Sequence, residues 1–186
     1  MNSSPFALFV LDKSIDNEYI NKTLERARSW DAANEADWDL WLATNSYEDM
    51  PRDPPNRRQP DGSVLPAAHG TVPPISKSYV SPWYGKTVED CARWLQAAPD
   101  DVASDKQHFA AMNEYSREDD TVLLCRVKKT DGEAGWKVDY YPVWTVHVAM
   151  ALHTRNGTSF EESFGGYQRK MEGEGKPDRS QGGPYS

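Results

Sequence analysis

Apolar residues are densest between residues 121 and 156, and their spacing changes along that stretch. Residues 121–127 are apolar apart from the leading threonine and Arg126, a pattern typical of a strand that is covered on both faces. After a turn with two glycines, apolar and polar residues alternate over residues 136–140, which indicates a half-buried strand. The two strands are predicted to form an antiparallel hairpin.

Pro142 closes the alternating pattern. Because proline has no backbone N–H to donate, the strand is expected to end there or to lie at an edge of the sheet. From Val143 onward, apolar residues recur at spacings of three and four as far as His153, which predicts a buried helix. Asn156 and Gly157 are typical C-cap residues and are expected to end that helix.

The chain begins with another apolar run, over residues 6–11, which predicts a central strand. Ser14 or Asp16 is placed to cap a helix whose apolar stripe starts at Ile20 and Leu24. One helix is therefore expected directly after the first strand.

A second, short helix is expected over residues 35–43, with Asn34 as its cap. Trp38, Trp41 and Leu42 would share one side of it. This places two helices between the first strand and the loop that follows.

Residues 47–85 form a long loop, since eight of the thirteen prolines lie between Pro51 and Pro82. Proline at this density nearly excludes regular structure. The first half of the loop is polar, whereas the second half carries apolar and aromatic residues such as Ile75 and Val80. The loop is therefore expected to pack on the domain, with a lid as the alternative.

Residues 108–114 fit two structures. A helix capped by Ser104 is one of them. The other is a strand, because residues 109–116 echo residues 7–14: each is an apolar run that ends in an acidic residue, any residue and serine. The echo favours the strand.

Two capping-box patterns predict further helices. Thr87 with Asp90 opens a helix of about ten residues, and Ser159 with Glu162 opens the last helix. The apolar stripe of the last helix consists of Phe160, Phe164, Tyr167 and Met171.

Residues 172–186 consist mainly of glycine, proline and charged residues, and are expected to be a flexible tail.

These elements predict an α/β fold, with α+β as the alternative. We expect a single sandwich domain over residues 1–171, with a mixed sheet of about four strands flanked by helices and the proline-rich loop 47–85 within it. A helical connection between the first two strands would make them parallel, with a right-handed crossover.

The chain of 186 residues carries a net charge of −8 at pH 7, so nucleic acids and anionic membranes are not expected as partners. No apolar run is long enough to span a membrane or to act as a secretion signal. Cys91 and Cys125 are therefore expected to be reduced thiols in a cytoplasmic protein.

Asp12 and Glu114 would both follow the carboxyl ends of the two echoing strands, where ligands bind in open parallel sheets. Such a pair suits acid–base chemistry, and His147 in the predicted helix is a further candidate base. Each has a structural alternative: the two acids suit turns and caps, and His147 suits a hydrogen-bonded core histidine. No metal-ligand, phosphate-loop or dinucleotide motif is present, so no metal or cofactor is expected.

Seven tryptophans and nine tyrosines are more than packing alone requires, and several fall in segments with weak periodicity. Aromatic side chains there suit a binding surface, although they also suit a loop that is held down by its own aromatics. The candidate binding residues are Tyr79, Trp83, Tyr84, Trp38 and Trp41.

Two segments resemble small uncharacterised fungal proteins: Phe-Ala-Leu-Phe-Val-Leu-Asp at residues 6–12 and Asn-Glu-Tyr-Ser-Arg-Glu-Asp-Asp-Thr-Val-Leu-Leu at residues 113–124. The resemblance extends over much of the chain. It implies an intracellular protein and brings no catalytic residues with it.

Three functional hypotheses follow. The first is a soluble intracellular binding protein whose aromatic loop covers a pocket, or presents a surface, for a small molecule or a protein partner. The second is a cofactor-independent enzyme, such as an isomerase, cyclase or small hydrolase, with carboxylate or histidine acid–base catalysis under an aromatic lid. The third is a structural subunit of a larger assembly, which would expose a large apolar patch.

Overall fold

A mixed five-stranded sheet with the order β2-β1-β3-β4-β5 is the centre of the computed structural model, which describes residues 5–34, 39–54, 57–131, 135–154, 158–171 and 174–179. Strand β1 pairs in parallel with both β2 and β3, while β3, β4 and β5 pair antiparallel. The strands are β1 (Phe6–Val10), β2 (Leu40–Leu42), β3 (His108–Met112), β4 (Thr121–Lys129) and β5 (Trp136–Trp144). The helices are α1 (Asn17–Ala33), α2 (Val88–Gln96), α3 (Ser116–Asp119), α4 (Val148–His153) and α5 (Thr158–Met171).

The sheet is covered on both faces, which confirms an α/β fold. We call the side packed by α1, α4 and α5 the first core, and the side packed by α2 and part of the proline-rich loop the second core. Strand β1 is buried at every position because its side chains point alternately into the two cores. The sheet has five strands rather than four.

The echo between residues 7–14 and 109–116 matches the pairing of β1 with β3. Ala7 pairs with Phe109 and Val10 with Met112, the same alignment that the echo gives. The strand predicted over residues 108–114 is therefore confirmed. The carboxyl ends of β1 and β3 lie side by side as a consequence.

The additional strand, β2, occupies part of the segment predicted as a helix over residues 35–43, and that prediction is wrong for residues 39–43. Residues 35–38 fall outside the described residues. Leu40 and Leu42 belong to the first core while Trp41 belongs to the second, so the segment alternates between the two faces of the sheet. Because all three side chains are apolar and both faces of the sheet are buried, the sequence shows no alternation of apolar and polar residues that would indicate a strand.

The proline-rich loop packs along the outer edge of β2. The Thr71 backbone N–H donates to the Leu40 carbonyl oxygen at 2.9 Å, and the Leu42 N–H donates to the Thr71 hydroxyl at 2.8 Å. At Gly70 a Cβ atom would lie 2.3 Å from the Leu40 carbonyl oxygen, so only glycine allows this approach. The loop thus protects a strand edge that would otherwise be open.

The helix predicted from Val143 begins later than expected. Strand β5 continues through Pro142 to Trp144, because Val143 still pairs with Val122 on β4. Pro142 is tolerated since β5 lies at the edge of the sheet, which was one of the two expected outcomes. The predicted C-cap, Asn156 and Gly157, falls outside the described residues.

Other helix predictions are confirmed. Asp16 caps α1 by accepting a hydrogen bond from the Tyr19 N–H, and Thr87 with Asp90 forms the capping box of α2. In α5 the side chains of Phe160, Phe164 and Tyr167 are buried in the first core, as their spacing predicts. The side chains of Ser159 and Met171 fall outside the described residues.

Part of the predicted tail lies on the domain. The Gly175 carbonyl oxygen accepts a hydrogen bond from the Asn113 side chain at 3.0 Å, and Gly175 is buried. Arg179 forms a two-pronged ion pair with Asp119, at 2.8 and 2.9 Å. Residues 174–179 therefore form a strap next to the carboxyl end of β3.

Candidate functional site

The candidate acids follow the carboxyl ends of β1 and β3, but each has its own local environment. The Asp12 carboxylate accepts a hydrogen bond from the Ser14 N–H at 2.8 Å. Hydrogen bonds from the Ser14 side chain and backbone hold the pKa of Asp12 below its usual value. Glu114 is exposed. Asp12 thus occupies the turn role that was the structural alternative.

His147 lies elsewhere, in a 3₁₀ turn (Thr145–His147) that precedes α4, and its side chain is exposed. It is therefore not in the apolar neighbourhood that its sequence context predicts. Among the described residues, no hydrogen bond or ion pair joins any two of Asp12, Glu114 and His147.

Two of the predicted binding aromatics, Trp41 and Trp83, are packed into the second core. Trp83 is 6% exposed, and its ring centroid lies 4.8 Å from that of Phe9 in an edge-to-face arrangement. The Trp83 indole N–H donates to the Thr44 carbonyl oxygen at 3.2 Å. The Trp94 ring lies at 5.2 Å from Trp83. These aromatics hold the loop on the sheet.

Tyr79 and Tyr84 are partly buried against the opposite face, the first core. Burial raises the pKa of the Tyr79 hydroxyl to about 12. The aromatic loop thus divides its side chains between the two faces of the sheet instead of directing them into one cavity. Trp38 falls outside the described residues.

The part of the loop on the α1 side forms one wall of a groove. The Asn17 side-chain amide donates to the carbonyl oxygens of Ser76, Lys77 and Tyr79 at 3.2, 3.2 and 3.3 Å. One turn further along α1, the Asn21 carboxamide oxygen accepts the Ile75 N–H at 2.8 Å. Two asparagines of one helix therefore fix the backbone of this wall.

This groove has a volume of about 750 Å³ and runs along the first turns of α1. Arg117 of α3 also lines it. Its lining includes Asp16, six residues after the end of β1, and Arg117, five residues after the end of β3. Its lining consists of Asp16, Asn17, Glu18, Tyr19, Asn21, Lys22, Glu25, Pro74, Ile75, Lys77 and Arg117.

Several charged groups of the lining are already paired. Arg117 lies 2.8 Å from the Asp16 carboxylate, and the Lys22 ammonium lies 3.1 Å from Asp120. Glu18, Glu25 and Lys77 are exposed, and no hydrogen bond or ion pair engages their side chains within the part of the chain that the structure describes. These three charges are available to a ligand.

Asp120 joins α1 to the 3₁₀ turn that follows β5. Its carboxylate contacts the guanidinium of Arg26 at 2.6 Å and accepts a hydrogen bond from the Thr145 hydroxyl at 3.0 Å. Burial alone would raise the pKa of Asp120, but the hydrogen bonds from Arg26, Lys22 and Thr145 outweigh it and lower the pKa. Its backbone has a positive φ of 54°, which is rare outside glycine.

Sequence reasoning missed a buried acidic cluster at the opposite end of α1. Asp31 and Asp39 are 2% and 1% exposed, and both lie next to the imidazole of His153. Trp30 stacks on the same imidazole at 5.3 Å. Because the residues come from α1, α4 and the start of β2, no local spacing points to them. Among the described residues no group of three or more His, Cys, Asp or Glu side chains is arranged to hold a metal ion.

A second polar network lies where β4, β5 and α5 meet. Arg126 lies 2.8 Å from Glu161 and 3.5 Å from the buried Asp139, and its guanidinium stacks over the Phe160 ring at 4.1 Å. The Lys137 ammonium pairs with Asp139 at 2.7 Å. Since the charges of this network are paired with one another, it is a structural element and not an open site.

None of the described helices is both long enough and apolar enough to cross a membrane. No protein-family model matches the chain, and no curated protein or solved structure is significantly similar to it.

Proposed function

We propose that this protein is a binding protein that takes a small charged ligand in the groove between α1 and residues 74–79. The observation that carries the proposal is the fixed wall, in which Asn17 and Asn21 hold three carbonyl oxygens and one N–H of the loop. A wall held in this way costs little ordering entropy when a ligand binds.

The lining supports a ligand that is polar at its ends and apolar between them. Pro74 and Ile75 offer apolar surface on the loop side of the groove. The charged groups that remain unpaired, Glu18, Glu25 and Lys77, line the same groove. A few polar groups around an apolar contact are the usual composition of a small-molecule site.

The aromatic loop would serve this site indirectly. Trp83 packs in the second core, and Tyr79 and Tyr84 pack against the first core, so they anchor the segment that carries the groove wall. The free, buried thiols of Cys91 and Cys125 support an intracellular place of action.

An acid–base enzyme is the second hypothesis that the sequence raises. It requires at least two of Asp12, Glu114 and His147 to act on one substrate atom. The described lining of the groove includes none of these three residues, so we favour binding as the function of the groove.

The test is a nuclear magnetic resonance screen of the uniformly ¹⁵N-labelled protein against a mixture of small charged and neutral fragments. We expect ligand-induced shifts at the backbone amides of Asn17, Lys22 and Lys77. Lys77→Trp, a change at an exposed lining position, should fill the groove and abolish the shifts.

Arg93→Trp is the matched control, because Arg93 is also exposed but lies on α2, on the other side of the sheet. It should leave the shifts unchanged. Fragment shifts that map elsewhere, or that persist in Lys77→Trp, would show that the groove is not the site.

A further inference from the structure

We propose that the groove recognises a short basic peptide that carries two positive charges about 10 Å apart and a free carboxylate. The inference rests on the proposed function, because it names the ligand class of the same groove. It follows from which charges of the lining are paired within the protein and which are not.

The two available carboxylates lie on the same side of α1. Glu18 and Glu25 are seven residues apart, which corresponds to about two helical turns and a separation of about 10 Å along the helix axis. Both side chains are exposed and line the groove. A ligand that pairs with both therefore needs two cationic groups at this spacing.

Lys22 lies between these glutamates in the sequence and is the natural cation to neutralise them. Its ammonium is instead 3.1 Å from the carboxylate of Asp120, which also contacts Arg26. Asp120 thus holds Lys22 away and leaves the negative potential of Glu18 and Glu25 to an incoming cation.

The opposite wall carries one available positive charge, Lys77. Its backbone is held by the Asn17 amide, so the position of the residue is defined although the side chain is exposed. A carboxylate on the ligand would complement it. The three unpaired charges together match a ligand with two cationic groups and one anionic group.

A peptide with free ends has these charges at the required spacing. In an extended tetrapeptide that ends in lysine, the amino terminus and the lysine are about 10 Å apart along the backbone, at about 3.3 Å per residue. The terminal carboxylate supplies the third charge. The net charge of −8 on the protein would also raise the association rate of such a cation.

The experiment measures the dissociation constant of Ala-Ala-Ala-Lys by isothermal titration calorimetry with the full chain at low ionic strength. We expect Glu18→Gln and Glu25→Gln each to weaken binding about two- to fivefold, the range for single exposed ion pairs. Binding should weaken further as salt is added. Glu89→Gln, at an exposed position of α2, is the matched control and should have no effect.

Three modified peptides test the individual charges. N-acetylation, replacement of the lysine by methionine, and C-terminal amidation should each weaken binding. In Lys77→Met the free acid and the amide should bind equally, because the group that distinguishes them is gone.

The outcomes separate this inference from the proposed function. If neutral or acidic tetrapeptides bind as tightly, or if both glutamine variants bind normally, the ligand class is wrong. The proposed function survives that result only if fragments still shift the groove amides and Lys77→Trp abolishes those shifts. If no peptide and no fragment shifts the groove amides, the proposed function fails as well.

Discussion

The imidazole Nε2 atom of His153 lies 3.1 Å from the Oδ1 atom of Asp31, and this contact joins the end of α4 to the last turns of α1. The same nitrogen is 3.5 Å from a carboxylate oxygen of Asp39, next to the start of β2. One imidazole thus contacts two nearly fully buried carboxylates. Such groups are costly to bury without a hydrogen-bonding partner.

We expect His153→Ala to lower the free energy of unfolding by about 2 to 3 kcal/mol, because the hydrogen bond to the buried Asp31 carboxylate is lost together with the ring packing on Trp30. Urea denaturation at pH 7 measures the change. His147→Ala is the control, since His147 is exposed, and should cost less than about 0.5 kcal/mol. Equal effects of the two substitutions would contradict the structural role of His153.

Asp120 gives a prediction on pH dependence. Its folded-state pKa is lowered by Arg26, Lys22 and Thr145 in spite of burial, so ionised Asp120 stabilises the fold at pH values above the unfolded pKa of about 3.9. That contribution is lost as the pH falls through the lower, folded-state value. The stability difference between the wild type and Asp120→Asn should therefore be constant from pH 7 to pH 5 and disappear only in stronger acid.

Denaturation curves of both proteins between pH 7 and pH 3 measure this difference. Asn accepts a positive φ almost as readily as Asp, so the substitution changes the charge while the backbone preference is kept. If the stability difference between the wild type and Asp120→Asn already shrinks between pH 7 and pH 5, the pH dependence belongs to another titratable group.

Trp83→Ala is expected to act on stability. Trp83 is buried between Phe9 and Trp94, and removal of a buried tryptophan typically costs about 3 to 5 kcal/mol. Tyr84→Ala, at a partly buried position, should cost less. Urea denaturation compares them. A Trp83→Ala protein of near-normal stability that no longer binds ligand would restore the interpretation of this residue as a direct binding group.

Gly175→Ala is expected to release the strap of residues 174–179. The backbone φ there is +72°, and a Cβ atom would lie 3.0 Å from the Asn113 side-chain nitrogen. Faster hydrogen exchange in the strap is the expected result. Gly62→Ala is a matched control, because Gly62 also has a positive φ of +85° but open space around it. If the amide hydrogens of the strap exchange at the same rate in Gly175→Ala and Gly62→Ala, the contact with Asn113 does not hold the strap.

Much of the framework could be predicted from local sequence signals. The capping residues Asp16 and Thr87 mark the starts of α1 and α2, because a cap acts within one helical turn. The echo of β1 in β3 predicted the strand and matches its pairing, because the two strands occupy equivalent, doubly buried positions in the sheet.

The wrong secondary-structure predictions lie in segments where pairing within the sheet overrides the local sequence pattern. Strand β2 has three apolar residues, too few to show a period, and becomes a strand through pairing with β1. Beyond Val143 the helical spacing was misleading as well: Val146 and Met150 are 51% and 39% exposed, whereas Val148 and Leu152 are buried. Pairing with β4 extends β5 and shifts the start of the helix.

The sequence by itself determined the N-terminal caps of α1 and α2, the hairpin, the doubly buried strands and the packing of the loop, because each of these depends on neighbours within a few residues or on total apolar content. The tertiary structure alone decided the groove. Its walls are α1 and residues 74–79, and it is defined by how Asn17 and Asn21 hold a distant segment. The tertiary structure also decided which charged side chains of the groove remain available to a ligand, because Lys22 and Asp120 become neighbours only after folding.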